Sequence, residues 1–154
     1  MTSIDHGSAP VVGVQAEYRI CRFTGLKLEK NAEALIKVNA VTAVIFLLLG
    51  GLMGLGVALT RWPALQLLPA DWFYLILTGH GANVLLFWIL FFEIAILYFA
   101  SAVLLGARLA APKLAWLAFF LMLAGALMAN YAVLRGDSSV MFTSYPPMMA
   151  SQWF

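Results

Sequence analysis

A histidine with glycine on both sides, in Thr78-Gly79-His80-Gly81, lies just inside a long apolar run and is the group in this chain best suited to chemistry. A neutral imidazole about two turns into a membrane helix, flanked by glycine, leaves open space where a flat ligand can approach its ring. Haem iron fits that description. Burying a histidine in lipid is costly unless the ring is neutral and its polar nitrogens are used. Iron ligation through one nitrogen and a hydrogen bond from the other would use both, with Thr78 or a backbone carbonyl taking the hydrogen bond. A ring hydrogen-bonded to Asn130, or to another helix, meets the same requirement without a metal, and the residues alone leave both readings open. A non-haem metal would need further His, Cys or carboxylate ligands, and the other histidine, His6, belongs to the polar leader.

Other candidates are weaker. Glu93 is about 20 Å deeper along the same helix than His80, at 1.5 Å per residue, and at 100° per residue it points away from the histidine face. Proton conduction is one role for it; a protonated carboxyl hydrogen-bonded to a neighbouring helix or subunit is the other. Tyr98 carries no functional weight. Arg61 either anchors a helix end at the interface or touches the edge of a haem held by His80. Met141, Met148 and Met149 suggest copper only superficially, because most methionines in so apolar a chain are packing residues.

The elements that hold these residues follow from composition. With 64% hydrophobic and 10% charged residues and a mean hydropathy of +0.94, the chain is far more apolar than a soluble domain, which carries about 25% charge. The expected fold is an all-α integral membrane protein with three transmembrane helices in a bundle. Residues 1–37 read as a polar leader, with a short amphipathic helix from about Gly25 through Leu26, Lys30, Glu33 and Lys37, or else as a solvated charged tail. The charged start of a cleavable signal peptide is missing before residue 14. Residues 38–60 contain no charge and are long enough to cross about 30 Å of hydrocarbon. Gly50, Gly51, Gly54 and Gly56 give this first span a small-residue patch, for close helix packing or for contact with a cofactor. Arg61-Trp62-Pro63 ends it with interfacial residues and a helix breaker. Residues 74–107 form a second span that exceeds the bilayer and must tilt or project. His80, Asn83, Phe87, Phe91, Ile94 and Tyr98 share one face of it by the 3.6-residue period. Residues 114–134 form the third span, with Gly125, Ala129 and Asn130, and residues 135–154 form an outer loop with Tyr145-Pro146-Pro147 and the start of a fourth helix.

Charge placement sets the expected orientation. Arg19, Arg22, Lys27, Lys30 and Lys37 in the leader, with Arg108 and Lys113 between the second and third spans, outweigh Arg61 and Arg135 on the other side. The positive-inside rule then puts the amino terminus in the cytoplasm of a multi-pass protein of the cell's inner (plasma) membrane, with His80 near the outer surface. The net charge of +2 gives no polybasic surface and excludes nucleic acid as a partner. Cys21 is the single cysteine, which excludes an internal disulfide, a CxxC pair and a cysteine-based zinc site.

Two motifs around one helix hairpin carry a resemblance. Thr78-Gly79-His80-Gly81, preceded by a helix with Gly50-Gly51 that ends in Leu59-Thr60-Arg61, and followed by Val140-Met141-Phe142-Thr143-Ser144-Tyr145-Pro146-Pro147, resembles the amino-terminal part of subunit I of the haem-copper terminal oxidases. The resemblance spans roughly residues 37–154, and the residues around Tyr145 look closest to the B-type branch. It implies the first part of a roughly twelve-helix subunit of cytochrome c oxidase, an enzyme passing electrons from cytochrome c or a similar donor to oxygen in aerobic respiration. It implies that His80 is one of two axial ligands of a low-spin haem, that Arg61 contacts the periphery of that haem, and that the Tyr-Pro-Pro turn packs over it. Glu93 matches no family residue. The second low-spin ligand, the second haem and the copper would come from the remaining oxidase helices or subunits, so this chain is expected to be a fragment, a truncated product or part of a split subunit, inactive alone. The rival expectations are a non-catalytic membrane subunit or assembly factor of a respiratory complex, and part of a related nitric oxide reductase.

Overall fold

The structure, a computed structural model, describes residues 18–22, 25–139 and 150–154. It is mostly helical, with three helices long and apolar enough to cross a membrane: residues 30–61, 70–104 and 112–134. His6, Met141, Met148, Met149 and the Tyr145-Pro146-Pro147 turn lie outside the described residues.

The leader differs from its expectation. Instead of an amphipathic helix from Gly25, strands β1 (Tyr18–Ile20) and β2 (Lys27–Glu29) pair antiparallel, Tyr18 opposite Glu29. Helix α1 (Lys30–Arg61) then starts directly from β2 and runs unbroken. Lys30, Glu33 and Lys37 are therefore its first two turns, not a separate interfacial segment. The reason is charge pairing: Arg19 of β1 and Lys37 both bond the Glu33 carboxylate, tying the hairpin to the helix start. Trp62, extended before Pro63, stops α1, because the residue before a proline is pushed out of the helical region.

The second span is one continuous helical rod with two changes of pitch. Helix α2 (Ala70–Ala82) leads into a π turn (Asn83–Phe87), then α3 (Trp88–Phe99) and a second π turn (Ala100–Leu104). In each π turn a backbone N–H reaches back five residues, Trp88 to Asn83 O and Leu105 to Ala100 O. The helix starts at Ala70, not Tyr74, so His80 lies roughly 15 Å along the helix from its first residue. Helix α4 (Pro112–Leu134) opens on proline, whose missing N–H costs nothing in a first turn. It closes on Gly136 at φ +84°, with Asp137 N–H bonded to Ala132 O and Gly136 N–H to Val133 O. That six-to-one and five-to-two pair needs a left-handed residue, which glycine supplies without strain. Ser138 and Ala150 then form an isolated bridge, and residues 151–154 make a turn where a further helix was expected to begin.

Helix α1 is the spine, packed along α2, the first π turn and α3, with α4 against α2 and α1. The core gathers Leu35, Ala43 and Phe46 of α1, Phe91 of α3, and Phe119 and Ala126 of α4. Phe46 stacks on Phe91 with ring centres 5.6 Å apart, and Phe91 meets Phe119 edge to face at 5.9 Å. The outward faces are leucines, among them Leu48, Leu52, Leu97 and Leu121, each more than half exposed. In water that surface would aggregate; in a bilayer it is the face that meets lipid. At the end holding the hairpin, the buried carboxylate of Glu29 accepts the N–H of Leu109 at 2.9 Å, fastening the turn between the second span and α4 to the start of α1.

Candidate haem-ligand site

His80 sits two residues before the end of α2 and faces α1. Its Nδ1 lies 2.8 Å from the carbonyl oxygen of Gly50, on the neighbouring helix. A carbonyl only accepts, so Nδ1 is the donor in this contact, and in a neutral ring that leaves Nε2 with its lone pair. Nε2 makes no hydrogen bond to any described residue, and the ring is half-buried. Thr78, the other partner weighed for the ring, turns its hydroxyl to Tyr74 O in its own helix at 2.8 Å. Asn130 does not reach His80; it pairs with Asn83.

The glycines are what let the ring come so close. A methyl group built on Gly54 would stand 2.7 Å from Cε1 and 2.8 Å from Nδ1 of His80, inside contact distance. A methyl on Gly50 would run into Val84 and Asn83. This stretch of the small-residue patch is therefore a seat for the second span, and no open slot for a ligand lies against its backbone. Gly79 corrects the expectation further: it is buried, and a methyl there would stand 2.6 Å from Sδ of Met53 and 3.3 Å from Val133. The glycine before His80 thus serves helix packing instead of leaving room beside the ring. Gly51 does have open space around it.

Two further groups were singled out beside His80. Arg61 is exposed at the end of α1 and lines a cleft of about 670 Å³ with Thr60, Gln66, Pro69, Phe73 and Tyr74. His80 does not line that cleft. Measured along α1 from Gly54, which touches the ring, Arg61 is about 10 Å nearer the helix end. Glu93 is exposed on the side of α3 turned away from α1 and has no partner among the described residues. Phe91, Asn83 and the half-buried Phe87, Ile94 and Tyr98 do share the packed face with His80.

Missed by sequence reasoning was the polar link behind the histidine. Asn83 Nδ2 donates to Asn130 Oδ1 at 2.7 Å and Asn130 Nδ2 returns a bond to Asn83 Oδ1 at 3.1 Å. The available signal was two asparagines in separate spans, each of which must find a partner away from lipid.

Such a ring fits a haem iron. Metal-bound histidines commonly donate their other N–H to a carbonyl, which fixes the tautomer and the ring plane and leaves the ligating nitrogen free. Among the described residues no three His, Cys, Asp or Glu side chains gather to hold a metal between them. One imidazole on one face of a macrocycle is the donor set an axial position asks for, and His80 meets it alone.

One of the comparisons with known proteins finds a family. The family model described as cytochrome c and quinol oxidase polypeptide I matches residues 34–154, and the chain belongs to that family. It is a multi-pass membrane protein of the haem-copper oxidase subunit I type. No curated protein matches it, and no solved structure does.

Proposed function

We propose that this chain is the amino-terminal portion of a cytochrome c oxidase subunit I of the B-type branch, and that Nε2 of His80 supplies one axial ligand of its low-spin haem. The observation that carries the reading is the 2.8 Å contact between His80 Nδ1 and Gly50 O, which spends the proton-bearing nitrogen and leaves the other for a metal. His80 would hold a haem there, and the haem would supply one-electron transfer chemistry.

The residues of this chain do the positioning. Gly54 admits the ring to α1, Gly50 O holds its plane and tautomer, and Asn83 ties the helix behind it to α4. Arg61, about 10 Å beyond the ring along α1, is within reach of the anionic edge of a macrocycle of that radius, where a guanidinium pairs well with carboxylates. A second haem ligand, the oxygen-binding haem and the copper would come from the remaining oxidase helices or subunits. In the complete enzyme, cytochrome c or a similar donor would feed electrons toward oxygen. The basic end, with Arg19, Lys27, Lys30, Lys37, Arg108 and Lys113, faces the cytoplasm of the plasma membrane and puts His80 in the outer half. Glu93, turned outward at membrane depth, is a carboxyl covered by a neighbouring helix or subunit that donates to it.

The test is His80→Ala in the assembled oxidase. Loss of the low-spin haem band in the reduced spectrum supports ligation; an unchanged spectrum overturns it.

A further inference from the structure

Asn83 is fully buried and its amide is engaged on every side. Nδ2 donates to Gly79 O and to Asn130 Oδ1, each at 2.7 Å, while Oδ1 accepts from Asn130 Nδ2 at 3.1 Å. Asn130 donates in turn to Ala126 O at 2.9 Å. Two opposed N–H···O bonds between planar amides constrain rotation as well as distance, which a pair of leucines would not do. Because each asparagine is also bonded to its own helix backbone, the link runs from the backbone of α2 to the backbone of α4.

The level at which this happens is the level of His80. The backbone N–H of Asn83 is shared between Gly79 O and His80 O, at the point where α2 passes into its π turn. Gly79 is wedged between Met53 of α1 and Val133 of α4, so helix α2 cannot slide toward either neighbour. The amide pair adds a restraint of another kind, against a turn of this segment about its own axis. Asn83 lies about 60° round that axis from His80, three residues at 100° each, so a small turn that breaks the amide pair also swings the imidazole.

We propose that Asn83 and Asn130 together are the rotational lock of the helix at His80: positioning residues that, with Gly50 O bonded to the ring itself, fix how the imidazole is presented and the direction of Nε2. This rests on the ligand reading above. A reciprocal amide pair in a membrane span also serves as plain helix glue, and the test must separate the two roles.

The experiment compares Asn83→Ala, Asn130→Ala and the double variant in the assembled oxidase, with His80→Ala alongside. The readout is the paramagnetic resonance spectrum of the oxidised low-spin haem, whose largest g-value follows the angle between its two axial imidazole planes, together with its reduction potential. Each single variant is expected to shift the largest g-value and the potential, and the double variant to shift them no further, since either change removes the same contact. Where an alanine variant does not assemble, Asn130→Ser, too short to close the pair, is read in the same way. Unshifted g-values and potential with lowered thermal stability would reduce the pair to glue and overturn the proposal, as would shifts that add in the double variant. Retention of the low-spin signal in His80→Ala would instead overturn the ligand assignment beneath it, a separate result.

Discussion

The two halves of the second span are held to their neighbours by different physics. Around His80 the contacts are directional: an imidazole on a carbonyl, an amide on an amide, and glycines that bring backbones within reach. Around Phe91 they are volumetric, with Phe46, Phe91 and Phe119 filling the space between α1, α3 and α4 and no side-chain hydrogen bond among them. In a bilayer the apolar half gains little from leaving lipid, which is as apolar as the core, so close packing alone decides how helices meet there. The polar half gains from every satisfied donor, because lipid offers none. Angles are thus specified near the histidine and distances near the phenylalanines. The ligand role proposed for His80, which needs an orbital held along a fixed line, calls for the first environment.

Removing the volume should break the second half and leave the first. Phe91→Ala opens a cavity between three helices. The usual cost of such a change is about 3–5 kcal/mol, and the value expected here is near the lower end, since the transfer part of it counts for little against lipid. Thermal unfolding of the assembled protein in detergent would measure it. If the halves are independent, the low-spin haem spectrum of the variant that remains folded keeps its wild-type position. A spectrum displaced as far as in Asn83→Ala would show that the aromatic contacts also steer His80.

The converse change is Gly54→Ala. The added methyl would sit 2.7 Å from the ring, so the ring must leave Gly50 O. Overpacking of this kind costs about 1–3 kcal/mol, and the lost hydrogen bond falls within the same range. The low-spin haem content of the purified oxidase should fall toward that of His80→Ala, while the aromatic contacts below are untouched. Full haem content with an unshifted spectrum would mean that the ring has another place to stand.

How much of this contrast was legible in the sequence depends on how local each feature is. Three spans followed from uninterrupted apolar runs, and the packed face through Phe87, Phe91 and Tyr98 from helical period. Arg61-Trp62-Pro63 ends α1 as its residue types demand. The environment of His80 was half legible: a neutral ring with a carbonyl partner was among the readings, but the carbonyl is that of Gly50, on another helix. Gly79 was misread because a glycine's vacant side can face a ligand or a helix, and only the fold shows Met53 and Val133 there. The β1–β2 hairpin was missed because three-residue strands carry no period, and its hold on α1 comes from Arg19 meeting Glu33 across the chain. Neither π turn has a residue signature in this chain. The Asn83–Asn130 pair needed the azimuth of two helices, which no single stretch contains.

Stability at the end of α4 gives a smaller effect outside both halves. Gly136→Ala forces a side chain into the left-handed conformation at φ +84°, at a cost of roughly 1–2 kcal/mol. A small drop in melting temperature without any change in the haem spectrum is expected. Leu75 Cδ1 stands 3.8 Å from where the methyl would be, an ordinary contact, so strain and not collision accounts for the loss.

The smallest effect should also carry the opposite sign. Gly51 is next to Gly50 in α1, yet a methyl built there meets nothing within 4 Å. Alanine at an open helical position removes the backbone freedom that glycine loses on ordering, a gain of at most about 0.5–1 kcal/mol. Gly51→Ala should therefore leave the low-spin haem unchanged and raise stability slightly, whereas Gly50→Ala, driven into Val84 and Asn83, should lower it and disturb the ligand. A pair of adjacent glycines that answer one substitution in opposite directions would show that the patch is seated one residue at a time. Were Gly51→Ala to fall as far as Gly50→Ala, that open side would be closed in the assembled enzyme by a further helix lying on α1, and the directional half of the protein would extend to a third neighbour.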